Sequence, residues 1–171
     1  MVKLEANLQF MFNEYELIDR YEQASKAGFK GVELQAPYSL EKDQILEKLE
    51  THNLKHVIIN LPVNDPDTDQ ANLALIPDKK DLFLERLDLG ISYASTLGCI
   101  GINTGVGVKP QGFDDEEIFE TLVENQKIAS EKLAEKNIKA LIEPINTVDQ
   151  PGFFINTSKQ GMDLIEQINH H

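Results

Sequence analysis

The segment His56-Val57-Ile58-Ile59-Asn60-Leu61 ends at Pro62 and gives the strongest indication of the fold class. It is a short, nearly continuous apolar run. Runs of this kind are typical of strands that are buried on both faces of a parallel sheet. Such a sheet is built from units in which strands alternate with helices, and the flanking sequence follows that pattern.

Strand patterns and helical patterns alternate on both sides of this run. Alternating or apolar stretches predict strands, while apolar residues at helical spacing and capping residues predict helices. A long loop, the kind of segment that is often functional, is expected over residues 63–78. The predicted strands are 4–12, 31–35, 56–61, 99–104 and 140–143. The predicted helices are one over 14–27, one that opens at the N-cap Ser39, one from Phe83 that ends near Gly98, and two with capping boxes, at Asp114 with Glu117 and at Thr157 with Gln160.

Five successive βα units define the fold class as α/β. The strands recur about every 34 residues, so eight units would need about 270 residues, the usual size of a (β/α)₈ barrel. A chain of 171 residues is too short for a closed barrel. Two architectures remain, namely a partial TIM barrel of about five βα units and a flavodoxin-like five-stranded doubly wound sheet. Both predict a single α/β domain over residues 1–171.

Charge and composition narrow the classes of partner. Lys plus Arg number 16 and Asp plus Glu number 29, so the net charge is −13. A protein this acidic repels phosphate backbones and anionic membranes, so neither nucleic acid nor a membrane is an expected partner. The single cysteine, Cys99, is expected to be a small buried hydrophobe. No apolar stretch has the length of a membrane span and no signal-peptide pattern is present, so we expect a cytoplasmic protein.

Polar residues at the carboxyl ends of the predicted strands are the candidates for chemistry, because ligands bind there in both architectures. Glu143 is the clearest candidate. A carboxylate that ends an apolar strand and precedes a proline is costly there unless a metal ion or an Arg compensates its charge. The alternative is a partly solvated Glu that is bonded to a neighbouring backbone N–H or to a Lys.

Three asparagines at strand ends are candidates for binding a substrate. Asn60, Asn103 and Asn146 follow the third, fourth and fifth predicted strands. Their side chains can donate hydrogen bonds to a substrate oxygen, although Asn at a strand-to-loop junction is more often a turn residue. Glu33, in the second strand, either faces the interior of a barrel or pairs with a Lys or Arg. The Gly105-Val106-Gly107 segment does not fit a nucleotide-binding loop, because a proline stands where the third glycine is required.

Several segments carry a resemblance to a known family. The most specific is Glu143-Pro144-Ile145-Asn146-Thr147, followed by Asp149 and Pro151-Gly152-Phe153-Phe154. Shorter segments are Ala6-Asn7-Leu8, Ala27-Gly28-Phe29, Gly31-Val32-Glu33, Pro37-Tyr38, Asn60-Leu61-Pro62 and Leu97-Gly98-Cys99. With these segments, the chain resembles the amino-terminal portion of the hydroxypyruvate isomerase family, within the xylose isomerase-like TIM barrel superfamily. The resemblance favours the partial TIM barrel over the flavodoxin-like sheet.

This resemblance implies a metal-assisted isomerase. Its members interconvert a small 2-keto acid and its aldehyde form, of the hydroxypyruvate to tartronate semialdehyde type, through an enediolate. It implies Mg²⁺ or Mn²⁺ as cofactor, with Glu143 both as metal ligand and as catalytic proton donor and acceptor. The other metal ligands and the second catalytic carboxylate of the family come from later strands, so we expect this chain to lack a complete active site.

An alternative substrate and an alternative class of function stay open. Val148 and Asn103-Thr104 depart from the residues common in the family, which makes another small keto sugar, such as 2-oxo-tetronate, an alternative substrate. An alternative from a different functional class is a non-catalytic α/β module with a sugar-binding or regulatory role. In either case we expect a small-molecule keto acid or sugar as ligand, and a homo-oligomer or self-association through the open edges of a partial barrel.

Overall fold

The computed structural model describes residues 3–169, so the first two and last two residues of the predicted domain 1–171 lie outside the described residues. Within them lie two three-stranded parallel sheets, with the orders β1-β2-β3 and β4-β5-β6. The strands are β1 (Glu5–Asn7), β2 (Gly31–Glu33), β3 (Lys55–His56), β4 (Ile58–Asn60), β5 (Gly101–Asn103) and β6 (Lys139–Leu141).

Val57 separates β3 from β4 and links the two sheets. Its N–H donates to Val32 O at 2.8 Å on the β2 side, and its carbonyl accepts from Ile100 N at 2.9 Å on the β5 side. Asn60 N also donates toward the β2 side, to Gln35 O at 2.8 Å. The run predicted as the third strand therefore lies between β2 and β5, and the strands follow one another in chain order.

This order decides between the two predicted architectures. In a flavodoxin-like sheet the first strand lies between the second and the third. Here β2 pairs with both β1 and β3, so the flavodoxin-like alternative is wrong. Parallel neighbours in chain order are instead the arrangement found in TIM-barrel sheets.

Five α-helices accompany the strands within the described residues. They are α1 (Arg20–Lys26), α2 (Lys42–His52), α3 (Lys80–Leu97), α4 (Asp115–Ala134) and α5 (Ser158–Ile168). None of them combines the length and apolar character needed to cross a bilayer. The apolar core holds side chains from strands and helices alike, and its fully buried members include Val32, Ile59, Ile102, Tyr21, Phe83, Leu87 and Leu122. Burial of these side chains is the main force that holds the helices against the strands.

Some element ends match the sequence predictions and others do not. The capping boxes at Asp114 and Thr157 are both present and are confirmed. The strand predicted over 4–12 ends at Asn7, whose carbonyl accepts hydrogen bonds from the following turn. The prediction of Ser39 as an N-cap is wrong, because Pro37 opens a separate 3₁₀ turn and the helix begins at Lys42.

His56 and Cys99 form a polar contact inside the core. Cys99 is buried, which confirms the sequence prediction, and its Sγ lies 3.6 Å from Nδ1 of His56, a residue that is 1% exposed. Burial lowers the pKa of His56 to about 4, because the imidazolium would lose its hydration, and burial raises the pKa of Cys99 to about 12. Both side chains are therefore neutral at pH 7.

Candidate functional site

Successive side chains of the parallel strands point alternately toward the helices and toward the opposite, more open face. Asn60 and Asn103 are register partners on β4 and β5, and each follows a fully buried isoleucine, so alternation places both on the opposite face from Ile59 and Ile102. Leu141 on β6 is the next partner of Asn103, and Glu143 follows it by two residues. The strand ends therefore bring a carboxylate and two carboxamides together on one face.

Asn103 and Glu143 are in direct contact. Asn103 Nδ2 donates a hydrogen bond to Glu143 Oε2 at 2.9 Å, and Asn103 Oδ1 accepts from Gly105 N at 3.2 Å. Glu143 is exposed, as the alternative interpretation of a partly solvated strand-end residue expects, but the partner of its carboxylate is a side-chain amide. This hydrogen bond engages Oε2 alone, and Glu143 Oε1 remains a hydrogen-bond acceptor.

Asn60 and Asn146 have different surroundings. The Asn60 carbonyl accepts from Tyr38 Oη at 2.6 Å, which fixes the end of β4. Asn146 Oδ1 accepts from Val148 N and Asp149 N at 3.0 Å each, and its Nδ2 donates to Asp149 Oδ2 at 2.7 Å. Asn146 therefore forms a local Asx turn, the common role of Asn after a strand. Substrate contact by Asn60, Asn103 and Asn146 stays a prediction.

Two further carboxylates lie on the open face of the first sheet. Glu33 is half-buried beside its register partner Asn7, and a Cβ at Gly31 would contact Glu5 Cβ at 3.3 Å, so Glu5 shares that face. Burial raises the pKa of Glu33, and the negative charges of Glu5 and Glu143 raise it further. Glu33 lies on the same face of the first sheet as Glu5. Sequence reasoning missed Glu5, although its alternation with Ala6 and Asn7 is a strand signal.

The carboxylates of the described residues do not by themselves fit a divalent cation. Across residues 3–169 no three His, Cys, Asp or Glu side chains come close enough together to hold a metal ion. Mg²⁺ prefers about six oxygen ligands, whereas Glu143 is a single carboxylate with one oxygen already paired with an amide. The metal-ligand role of Glu143 therefore stays a prediction.

A cavity of about 580 Å³ lies between the first turns of α4 and α5. Its lining includes the apolar Phe119, Phe153 and Ile155 and the polar Lys109 and Asp163. Glu143 and Asn103 are not among its lining residues. The side chains that bear chemistry lie on the open face of the strands, and we place the candidate site there.

The segment predicted as a loop over 63–78 packs against the turn that follows β5. It contains an antiparallel bridge between Asn64 and Ala71, and residues 73–76 are buried. A Cβ on Gly107 would lie 1.8 Å from the Ala71 carbonyl oxygen, so the two backbones are in close contact. The segment therefore supports the turn that begins next to Asn103.

We expect Gly107→Ala to destabilise the protein by about 2 kcal/mol more than Gly112→Ala. Both glycines have positive φ, +95° and +92°, so both alanine variants bear the same backbone strain. A Cβ at Gly112 meets nothing within 4 Å, whereas at Gly107 it meets backbone. Urea denaturation of the two variants measures the difference, and equal free energies of unfolding would contradict the close packing of this turn.

The fold and the site together define an α/β protein of the TIM-barrel type, with carboxylate and amide side chains at the carboxyl ends of parallel strands. The chain belongs to the xylose isomerase-like TIM barrel family, whose sequence model matches residues 21–171. The resemblance inferred from the sequence is thereby confirmed.

Individual relatives match nearly the whole chain. It is 38% identical over 168 residues to hydroxypyruvate isomerase of Escherichia coli (strain K12), and this alignment covers 98% of this chain and 65% of that protein. It is 32% identical over 169 residues to 2-oxo-tetronate isomerase of Haemophilus influenzae, and this alignment covers 99% of this chain and 66% of that protein. A crystal structure of an AP endonuclease, family 2, from Brucella melitensis superposes with a TM-score of 0.94 at 35% identity, covering 99% and 66%. The chain thus spans just under two thirds of the length of these relatives.

Proposed function

We propose that this protein is an isomerase that interconverts a small 2-keto acid and its aldehyde form through an enediolate. The observation that carries the proposal is Glu143, an exposed carboxylate after a strand end, with one oxygen held by Asn103 and the other not used in that hydrogen bond. Similarity to hydroxypyruvate isomerase and 2-oxo-tetronate isomerase over nearly the whole chain supports the substrate class.

The proposed reaction is a proton transfer between adjacent carbons. With hydroxypyruvate, Glu143 removes a proton from the hydroxymethyl carbon, and the electron pair of that C–H bond moves toward the keto oxygen to give an enediolate. Glu143 then returns a proton to the former keto carbon, while a proton moves between the two oxygens, which leaves tartronate semialdehyde. A positioned carboxylate that moves protons in this way acts as a general base and then as a general acid.

We also propose that Glu143 is one ligand of a bound Mg²⁺ or Mn²⁺, with the remaining ligands lying outside residues 3–169. A divalent cation would stabilise the negative charge of an enediolate. The described residues offer an incomplete set of ligands for such an ion.

Product analysis tests the proposed function. The protein produced from its complete reading frame is incubated with hydroxypyruvate or 2-oxo-tetronate, with Mg²⁺, with Mn²⁺ or with a chelator. ¹H NMR follows the substrate signals, the aldehyde signal of the product expected from hydroxypyruvate, and the signals of the isomeric keto acid expected from 2-oxo-tetronate. We expect product formation above a protein-free control with at least one substrate. Saturable binding of these compounds without turnover by folded, metal-loaded protein would contradict the isomerase and favour the non-catalytic module.

The strand order also supports a partial barrel. Because β3 and β4 are separated by Val57 alone and count as one barrel strand, β1 to β6 would supply the first five of eight barrel strands. Within the described residues β1 pairs with β2 alone and β6 with β5 alone, so each has an unpaired edge. Unpaired edges favour association with other strands, so we expect the polypeptide of residues 1–171, expressed alone, to self-associate. Size-exclusion chromatography with light scattering measures the mass at two protein concentrations, and a mass of a single chain at both would contradict this proposal.

A further inference from the structure

Asn103 lies between a fixed turn and the carboxylate of Glu143. Its Oδ1 accepts a hydrogen bond from Gly105 N at 3.2 Å, and its Nδ2 donates to Glu143 Oε2 at 2.9 Å. A carboxamide has one accepting end and one donating end, so the contact with Gly105 determines that the N–H groups face Glu143. The hydrogen bond from the Gly105 backbone N–H therefore determines the orientation of the Asn103 amide.

The turn that orients Asn103 is itself anchored to α4. Thr104 Oγ1 donates to Gln126 Oε1 at 2.5 Å, and Gln126 Nε2 donates to the Gly105 carbonyl at 3.1 Å. Thr104 and Gln126 are fully buried, so these hydrogen bonds do not compete with bulk water. Gly105 has a φ of +72°, which glycine adopts readily and which turns the chain directly after the N–H that Asn103 accepts. A rigid chain of contacts therefore runs from α4 to Asn103.

We propose that Asn103 is a positioning residue, which holds Oε2 of Glu143 so that Oε1 is presented to the substrate. This proposal rests on the proposed function and deepens it. A hydrogen bond from an amide to a carboxylate is charge-assisted and restricts the rotation of the carboxylate. The second N–H of the Asn103 amide is not used in these two contacts, so the tests below separate positioning of Glu143 from direct contact with the substrate.

The kinetic test uses Asn103→Asp in the complete protein. Aspartate keeps an oxygen for Gly105 N–H, but it offers Glu143 a second carboxylate in place of an N–H donor. We expect kcat to fall about 10- to 100-fold with KM changed less than about twofold, because a misplaced catalytic group slows the reaction without weakening substrate binding. Asn103→Ala, which removes both contacts without adding charge, should lower kcat in the same way.

A double-mutant cycle separates positioning from direct substrate binding. In the Glu143→Gln background we expect Asn103→Ala to have no further effect on the residual rate, because the group it positions is gone. A raised KM with unchanged kcat, or a loss of equal size in both backgrounds, would overturn the proposal.

A spectroscopic readout is independent of turnover. In ¹⁵N-labelled protein the side-chain NH₂ signals of Asn103 are assigned by their absence from the Asn103→Asp spectrum. We expect them to shift in Glu143→Gln and to stay in place in Glu47→Gln, an exposed control on α2. Unshifted signals in Glu143→Gln would overturn the proposal. If the wild-type protein converts no substrate, the proposed function fails, and these signals alone decide whether Asn103 holds Glu143.

Discussion

Glu143→Gln is expected to lower kcat for the isomerisation about 1,000-fold, within the range that general acid–base catalysis contributes. Glutamine has nearly the same shape as glutamate, but its amide neither accepts a proton from carbon nor returns one. Substrate binding on the open face should persist, so KM should change far less than kcat. Steady-state kinetics by the NMR assay measures both constants.

A matched control separates loss of chemistry from loss of fold or charge. Glu47→Gln makes the same substitution at an exposed position on α2, remote from the strand ends, and should leave kcat unchanged. Because Glu143 is itself exposed, its glutamine variant should also keep the thermal stability of the wild type. A Glu143→Gln protein that is folded and retains more than a tenth of the wild-type kcat would remove Glu143 from the proposed chemistry.

The sequence predicts the elements of this fold better than their ends. The capping boxes at Asp114 and Thr157 are local, since all partners lie within three residues, and both are present as predicted. The start of α2 depends on how Pro37 and its neighbours turn before the helix, and the favourable N-cap chemistry of Ser39 does not reveal that. The order of the strands depends on pairing between distant segments, so periodicity alone left the flavodoxin-like sheet open.

The candidate site was predictable as residues but not as contacts. Glu143 stands out in the sequence because a carboxylate after an apolar strand requires an explanation. Its contact with Asn103 depends on the register of β5 and β6, which places residues 40 positions apart within 2.9 Å. Asn146 resembles Asn103 in the sequence, yet its side chain is used within its own turn. Register and turn geometry therefore separate candidates that share the same residue type and the same position after a strand.

The free energy of unfolding is expected to fall by about 3 kcal/mol between pH 6.5 and pH 4 because of His56 alone. Burial lowers the pKa of His56 from 6.5 to about 4, so the unfolded chain binds a proton in this range while the folded protein does not. The contribution of His56 is therefore fully present above pH 6.5, is lost as the pH falls toward 4, and changes no further below that. Its buried neighbours Tyr21 and Cys99 remain neutral throughout, since burial raises the pKa of both.

Comparison with a variant isolates this effect from the carboxylates that titrate in the same range. His56→Leu removes the titrating group but keeps an apolar side chain in the core, so its free energy of unfolding should depend less on pH than that of the wild type. Urea denaturation at pH 4, 5, 6 and 7 measures how steeply the free energy of unfolding depends on pH in the wild type and in His56→Leu. Parallel curves for the wild type and His56→Leu would mean that the core admits a charged or hydrated imidazole, and that the His56 to Cys99 contact is open to water below pH 6.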